Sequence, residues 1–183
     1  GADAVYAGQP RYSLRVRNNE FDHENLKIGI DEAHALGKKF YVVANIRGGG
    51  EYGPAWHQAA LKNNRQRAYD DFFAVAEDLI AKKITSKKHL GAKGGSNGGL
   101  LMGICYTMRP DLFSAINCMV PLLDMHRYHK LLAGASWMAE YGNPDVKEDS
   151  EYIRKVSPYQ NIKKDSEYPV IFINTSTKDD RVH

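Results

Sequence analysis

The chain is poor in cysteine, in long apolar runs and in excess charge of either sign. Its two cysteines, Cys105 and Cys118, are too few and too far apart for a disulfide framework or a C-x-x-C redox or zinc motif. They read as small buried hydrophobes. Apolar runs such as Phe40 to Ala44 fall far short of the roughly 20 residues of a membrane span. The N-terminus lacks the basic, then apolar, then small-residue order of an export signal. Lys and Arg number 25 against 22 Asp and Glu, a net charge of +3, and no basic run dominates any segment. Nothing in that balance argues for a nucleic-acid or membrane partner. The chain is expected to be soluble and cytoplasmic, with no metal and no other cofactor.

What is present is one domain's worth of chain: 183 residues, 43% hydrophobic, at roughly 150 residues per domain. At that size folding buries about 68–70% of the unfolded surface, so no disulfide or metal is needed to hold a core. A complete eight-stranded α/β barrel, at about 250 residues, is ruled out. The chain starts on Gly1 rather than Met and stops at His183 soon after an apolar run, so both ends are expected to be cut.

Two β-branched or aromatic runs, Ala4 to Ala7 and Phe40 to Ile46, read as strands. Between them Asp22 is the expected N-cap of a helix, with Phe21 and Leu26 stapling across it, Leu26, Ile30 and Ala33 at helical spacing, and Gly37 as the stop. Strand, helix, strand implies a parallel βαβ unit. After a glycine-rich loop, Arg47 to Gly53, the spacing of Phe72, Val75, Ala76, Leu79 and Ile80 predicts a helix from Asp70 to Lys83. A short strand is expected at His89 to Lys93, and a helix from Leu100 to Met108 carrying Leu101, Ile104, Cys105 and Met108, ended by Pro110. Strands follow at Ser114 to Val120 and Val170 to Asn174, with one or two helices in Asp124 to Tyr141 and a short one at Ser150 to Val156. The alternation gives an α/β layered fold.

A nucleophile on a sheet needs its hydroxyl lifted clear of the backbone. A sharp strand-to-helix turn does this when the flanking residues carry no bulk, and Gly94-Gly95-Ser96-Asn97-Gly98 fits that demand. The helix N-terminus behind Ser96 would offer backbone N–H groups to a developing oxyanion. The alternative is a purely structural glycine turn. A phosphate cradle fails for want of the P-loop Lys with Ser/Thr or the G-x-G-x-x-G order. In α/β-hydrolases the acid follows a later strand, which is where Asp179 and Asp180 lie, although a solvated aspartate turn explains them equally well.

Several stretches together are specific. Asn45-Ile-Arg-Gly-Gly-Gly-Glu-Tyr-Gly53, Trp56-His57-Gln58, Asp70-Asp71-Phe72, Gly94-Gly-Ser-Asn-Gly-Gly-Leu100, Arg109-Pro-Asp-Leu-Phe113, Leu123-Asp-Met125, Arg127-Tyr-His-Lys130 and Asp179-Asp-Arg-Val182 resemble, in order, the catalytic domain of the prolyl oligopeptidase family. The resemblance covers residues 45 to 183 and implies an incomplete, three-layer α/β-hydrolase-like fold with a mostly parallel sheet. It implies Ser96 as nucleophile, Asp179 as the triad acid and the Asn97 backbone N–H as an oxyanion donor. Trp137 and Tyr141 would line the pocket for a proline ring, and Arg181 would hold a substrate carbonyl. An indole stacks well on a pyrrolidine ring, and a guanidinium donates to a carbonyl oxygen. An ordinary core aromatic is the other reading of Trp137.

Two departures stand out. The family's catalytic histidine lies well downstream of its acid, so the resemblance implies that the general base is missing from these 183 residues. His183 would have to fold back over Ser96 from a terminus, and His57, His126 and His129 sit on segments that the resemblance makes peripheral to the triad. His126 and His129 are about one helical turn apart, yet no third ligand at defined spacing makes them a metal site. The family's Tyr-Gly-Gly-Phe-like segment is also absent from the front. Instead, Gly1 to Gly8, Tyr12 to Phe21 and Asp31 to Val43 resemble the start of the collagenase-like peptidase family linked to tRNA hydroxylation, whose members begin with a barrel-like βαβ unit. The expectation is a chimera with its seam near Asn45-Ile46: a βαβ segment at 1–45 and a partial hydrolase at 46–183, forming one compact unit.

The function expected is that of a serine hydrolase cutting short peptides after proline, or small esters, through an acyl-enzyme on Ser96, with activity impaired by the missing base. The alternative is an inactive α/β module or a split-enzyme fragment that needs a partner chain. Unpaired sheet edges would favour self-association.

Overall fold

The computed structural model describes residues 2–3, 13–14 and 23–182, which fall into two compact units, Gly1–Ile46 and Arg47–His183. In the first unit, strands β1 (Ala2–Asp3) and β2 (Ser13–Leu14) pair antiparallel, Ala2 opposite Leu14. Helix α1 (His23–Ala35) then ends as glycine dictates. Gly37 takes a left-handed φ of 67°, and the Gly37 and Lys38 N–H groups return to the carbonyls of His34 and Ala33. The expected strand at Ala4 to Ala7 and the Asp22 cap with its Phe21 and Leu26 staple lie outside the described residues and side chains.

The expected strand at Phe40 to Ile46 does not form. β-propensity expresses itself only where a neighbouring strand offers a ladder. Here the Phe40 ring lies against α1, 3.4 Å from where a Cβ on Gly29 would sit, and the Ile46 N–H turns back to the Ala44 carbonyl. The second strand of the expected parallel βαβ is thus missing, and among the described residues the unit holds the antiparallel β1–β2 pair and α1.

The second unit is built on a parallel sheet in the order β3-β4-β5, formed by β3 (Gly91–Gly95), β4 (Ala115–Met119) and β5 (Val170–Asn174). Gly91 pairs with Ala115 and Ala115 with Val170, so the three strands run in step. Parallel strands need crossovers, and α4 (Asn97–Met108) supplies the one between β3 and β4. Its buried Leu100, Met102, Ile104 and Cys105 pack with Phe113, Ile116 and Cys118 into the core. Both cysteines are free and buried, and burial pushes the Cys118 thiol up to about 11. Strand β5 is different: Val170, Phe172 and Ile173 are 74%, 62% and 50% exposed.

Helices α2 (Pro54–Gln58), α3 (Gln66–Ala81), α5 (Met138–Tyr141) and α6 (Lys147–Val156) complete the unit. Three expectations shift. Helix α3 begins four residues early and buries Tyr69, Phe73, Ala76 and Leu79 rather than the stripe through Phe72 and Val75. Helix α4 is apolar all round, so spacing alone misplaces its face: Leu100 and Met102 are buried while Met108 is 38% exposed. The span from Asp124 to Tyr141, expected to hold one or two helices, holds two short 3₁₀ turns and one α-helix, the single turn α5. The chain doubles back there, with Leu132 at a φ of 42° and Gly134 pressed so closely on the Tyr128 carbonyl that a Cβ would overlap it.

Arg47 ties the glycine-rich loop to α3. Its backbone N–H donates to Asp71 Oδ2 at 2.9 Å, and its guanidinium to Oδ2 and Oδ1 at 2.8 and 2.6 Å. Burial raises the Asp71 carboxyl pKa, but the hydrogen bonds and charge of Arg47 outweigh it and hold the group below its ordinary 3.8. A depressed folded-state pKa adds stability that is complete above the unfolded value and is lost as pH falls through the folded one. Asp71→Asn should therefore cost about 1–2 kcal/mol at pH 7, allowing for solvent at the half-exposed Arg47. Urea titrations should show the deficit shrinking as the pH drops below about 4, where the wild-type carboxyl also takes up its proton.

Candidate active site

Between β3 and α4 the chain exchanges strand for helix in a single residue. Ser96 holds that corner at φ 55° and ψ −115°, a conformation a non-glycine residue adopts only under constraint. The constraint is visible on both sides: the Ser96 N–H donates to the Met119 carbonyl at 3.0 Å, and its own carbonyl accepts from the Leu100 N–H at 3.0 Å. Two glycines make the corner possible. A Cβ on Gly94 would lie 2.3 Å from the Gly98 carbonyl oxygen, and one on Gly99 would lie 2.7 Å from both the Met119 oxygen and the Pro121 Cα. Gly98, by contrast, faces open space. The helix thus lies down on the sheet through Gly94 and Gly99, and Ser96 is left facing a cleft.

That cleft, of about 490 Å³, is lined by Ser96, Asn97, Trp137, Tyr141 and Arg181, five of the six residues singled out from the sequence. Trp137 is half-buried and Tyr141 is 7% exposed, so the indole is a wall residue rather than a core aromatic. Burial drives the Tyr141 phenol up to about 12 against the opposing pull of Arg65, with Glu140 adding to the rise, so it is a neutral donor at physiological pH. Its hydroxyl donates to Asn97 Oδ1 at 2.8 Å. Asn97 is the first residue of α4, and its backbone N–H has no acceptor within the helix.

Asp179, the sixth residue, sits in the turn after β5, two strands along the sheet from the strand that leads to Ser96. It does not line the cleft. Its Oδ1 accepts from the Arg181 and Val182 N–H groups at 3.0 and 2.9 Å, which fixes the turn that carries Arg181 to the cleft wall.

Three further residues belong to the site. His57, expected at the periphery, lines the same cleft as Ser96, with Nε2 2.9 Å from Glu140 Oε2. Glu140 also bonds Arg65 through Oε1, and Arg65 is 4% exposed. Glu140 precedes the wall tyrosine by one residue, and Arg65 precedes buried Tyr69 by one helical turn. That charged residue on an apolar stripe was the one sequence signal available for it. Among the described residues no imidazole hydrogen-bonds the Ser96 hydroxyl. His129 pairs with Asp145 at 3.0 Å away from the cleft, and His183 lies outside the described residues. Among the described residues no cluster of three His, Cys, Asp or Glu could hold a metal ion, and no helix is long and apolar enough to cross a membrane.

Known proteins place the architecture. Residues 36–183 match the model of the prolyl oligopeptidase family, and residues 1–50 match that of peptidase family U32. The boundary between the two compact units, at Ile46, falls inside the stretch that both matches share. An uncharacterized peptidase of Sinorhizobium fredii is 61% identical over 142 residues, which is 78% of this chain and 20% of that protein. The prolyl endopeptidase of Dictyostelium discoideum is 48% identical over 143 residues, 78% of this chain and 19% of its own. The chain thus spans about a fifth of the length of these relatives. The solved structure of a post-proline cleaving enzyme from Rickettsia typhi superimposes with a TM-score of 0.79 at 48% identity, covering 83% of this chain and 22% of that one. With its strand-corner-helix and parallel sheet matched at that level, the second unit is an incomplete α/β-hydrolase fold, and the chain belongs to the prolyl oligopeptidase family.

Proposed function

We propose that the second unit carries the nucleophile and the proline pocket of a serine hydrolase that cleaves after proline, at the prolyl carbonyl carbon of short peptides, or hydrolyses small esters. One observation carries the reading: Ser96 is held in a strained conformation at the strand-helix corner and faces a cleft with a half-buried indole. In this reading the Ser96 Oγ attacks the substrate carbonyl carbon. The new Oγ–C bond gives a tetrahedral oxyanion, whose collapse breaks the bond to the leaving amine or alcohol as the hydroxyl proton passes through a base to that group. Water then attacks the acyl-enzyme, releasing the acid and returning the proton to Oγ. The Asn97 N–H donates to the oxyanion, Trp137 and Tyr141 hold the pyrrolidine ring, and the Arg181 guanidinium binds a second substrate carbonyl. Asp179 takes the acid's role and orients an imidazole that, seated at Ser96, serves as the base.

The described residues alone favour activated esters, whose leaving group departs without a proton. A site that lacks one triad member still retains about 10³ to 10⁴-fold catalysis over water from its oxyanion hole and binding contacts. The test is hydrolysis of p-nitrophenyl esters by wild type and by Ser96→Ala. Equal rates in the two would exclude a Ser96 acyl-enzyme and leave the inert-module reading standing.

The pocket assignment has its own test. Stacking against a large aromatic is worth about 0.5–1.5 kcal/mol beyond the area it buries, so losing Trp137 should be felt by proline and by little else. Trp137→Ala should lower the kcat/KM ratio of N-acyl-proline over N-acyl-alanine p-nitrophenyl ester by about tenfold, and change p-nitrophenyl acetate hydrolysis by less than about threefold. Two free buried thiols suit a reducing compartment, and the cytoplasm is the proposed location. The exposed apolar residues of β5 favour self-association, which sedimentation velocity reads directly.

A further inference from the structure

We propose that Arg65 is the positioning residue of this cleft: its guanidinium ties Asn97, Glu140 and Tyr141 into one wall beside Ser96. The inference rests on the Ser96 hydrolase reading for its kinetic consequences and on geometry alone for the wall itself.

The guanidinium reaches three residues on two elements, α4 and α5, from the N-cap of α3. Nη2 donates to Asn97 Oδ1 at 2.7 Å, Nη1 bonds Glu140 Oε1, and Cζ lies 4.9 Å from the centroid of the Tyr141 ring. Tyr141 closes the loop by donating to the same Asn97 Oδ1 at 2.8 Å. A guanidinium can only donate, so the oxygen of the Asn97 amide must face it, and the side chain has one permitted orientation. Asn97 follows Ser96 directly and opens α4, so locking its side chain also restricts the rotation of the N–H proposed for the oxyanion. Glu140 passes the restraint on to His57, which also lines the cleft.

Stability is a poor account of this arrangement. A buried ion pair is often no better than apolar side chains of the same volume, because taking both charges out of water offsets their attraction. What apolar packing does not supply is a planar fork that fixes three partners at set angles. Lysine, a point charge on a flexible stem, would keep the charge but not the fork.

The test compares Arg65→Met and Arg65→Lys with wild type, using N-acyl-proline and N-acyl-alanine p-nitrophenyl esters, with circular dichroism to confirm folding. A role confined to stability scales both substrates alike. A loosened wall penalises the substrate whose ring must fit it. The proline-to-alanine ratio of kcat/KM should fall about tenfold in Arg65→Met and about threefold in Arg65→Lys. An unchanged ratio in the folded variants overturns the proposal, and Arg65→Lys decides it if Arg65→Met fails to fold. If wild type hydrolyses neither ester, the hydrolase reading fails separately. The side-chain amide signals of Asn97 in nitrogen-15 NMR then decide the wall: displacement and broadening in Arg65→Lys support it, and unmoved signals overturn it.

Discussion

Gly94→Ala should cost this domain about 3 kcal/mol or more and lower its melting temperature by about 6–12 °C. One methyl group does this because neither side of the contact can yield. The new Cβ would sit 2.3 Å from the Gly98 carbonyl oxygen and 2.7 Å from its carbon, both backbone atoms of the first turn of α4. Gly94 is fixed in the ladder opposite Cys118, and the turn is fixed by the bonds from Ser96 to Met119 and from Leu100 to Ser96. Relief requires the helix to lift from the sheet, which opens the contacts of Leu100 and Ile104, both fully buried. The control lies four residues away. Gly98→Ala meets nothing within 4 Å and trades a poor helix former for the best one, so it should be neutral or stabilising by up to about 1 kcal/mol. Thermal melts of the two variants separate a glycine that the corner requires from one that it only contains. Equal melting temperatures would mean that the close approach of helix to sheet does not govern this corner.

The corner was the part of the fold that the sequence made plainest, and the reason is local. A glycine-serine-glycine turn running into an apolar helix leaves the backbone few alternatives. The strand at 170–174 was legible as a short run of β-branched and aromatic residues, and the one at 115–119 as a short, mostly apolar run. Long-range information was not legible. Phe40 to Ile46 has the composition of a strand but not the neighbour, and its phenylalanine packs on a helix instead. The folding back of 124–141 depends on a glycine meeting a carbonyl six residues earlier, which no periodicity announces. At the site, the residues tied to the corner or to the resemblance converge on one cleft. The ones missed, Arg65, Glu140 and His57, contribute through partners 32 to 83 positions away. A buried arginine beside two apolar positions reads as a surface residue until its partners are known.

Ser96→Ala is the other large expected effect. It removes the atom proposed to form the acyl bond while leaving the corner, the cleft and the pairing of Asn97 with Tyr141 in place. The Ser96-dependent part of ester hydrolysis should disappear, leaving the rate that binding and the oxyanion donors supply without a nucleophile. Stability should change little or improve by a fraction of a kcal/mol, since alanine meets the same strained φ and no hydrogen bond to the hydroxyl is lost among the described residues. A variant that loses activity and also melts much earlier would signal a structural role for the hydroxyl and weaken the assignment.

A nucleophilic Ser96 oxygen is read out by a fluorophosphonate, which leaves a covalent mark on the attacking atom. Wild-type protein treated with a fluorophosphonate, digested and sequenced by tandem mass spectrometry, should carry one adduct, on the serine of the peptide that contains Gly95-Ser96-Asn97, and Ser96→Ala should carry none. An unmodified Ser96 in folded wild-type protein, or equal labelling of Ser96→Ala, would contradict the account.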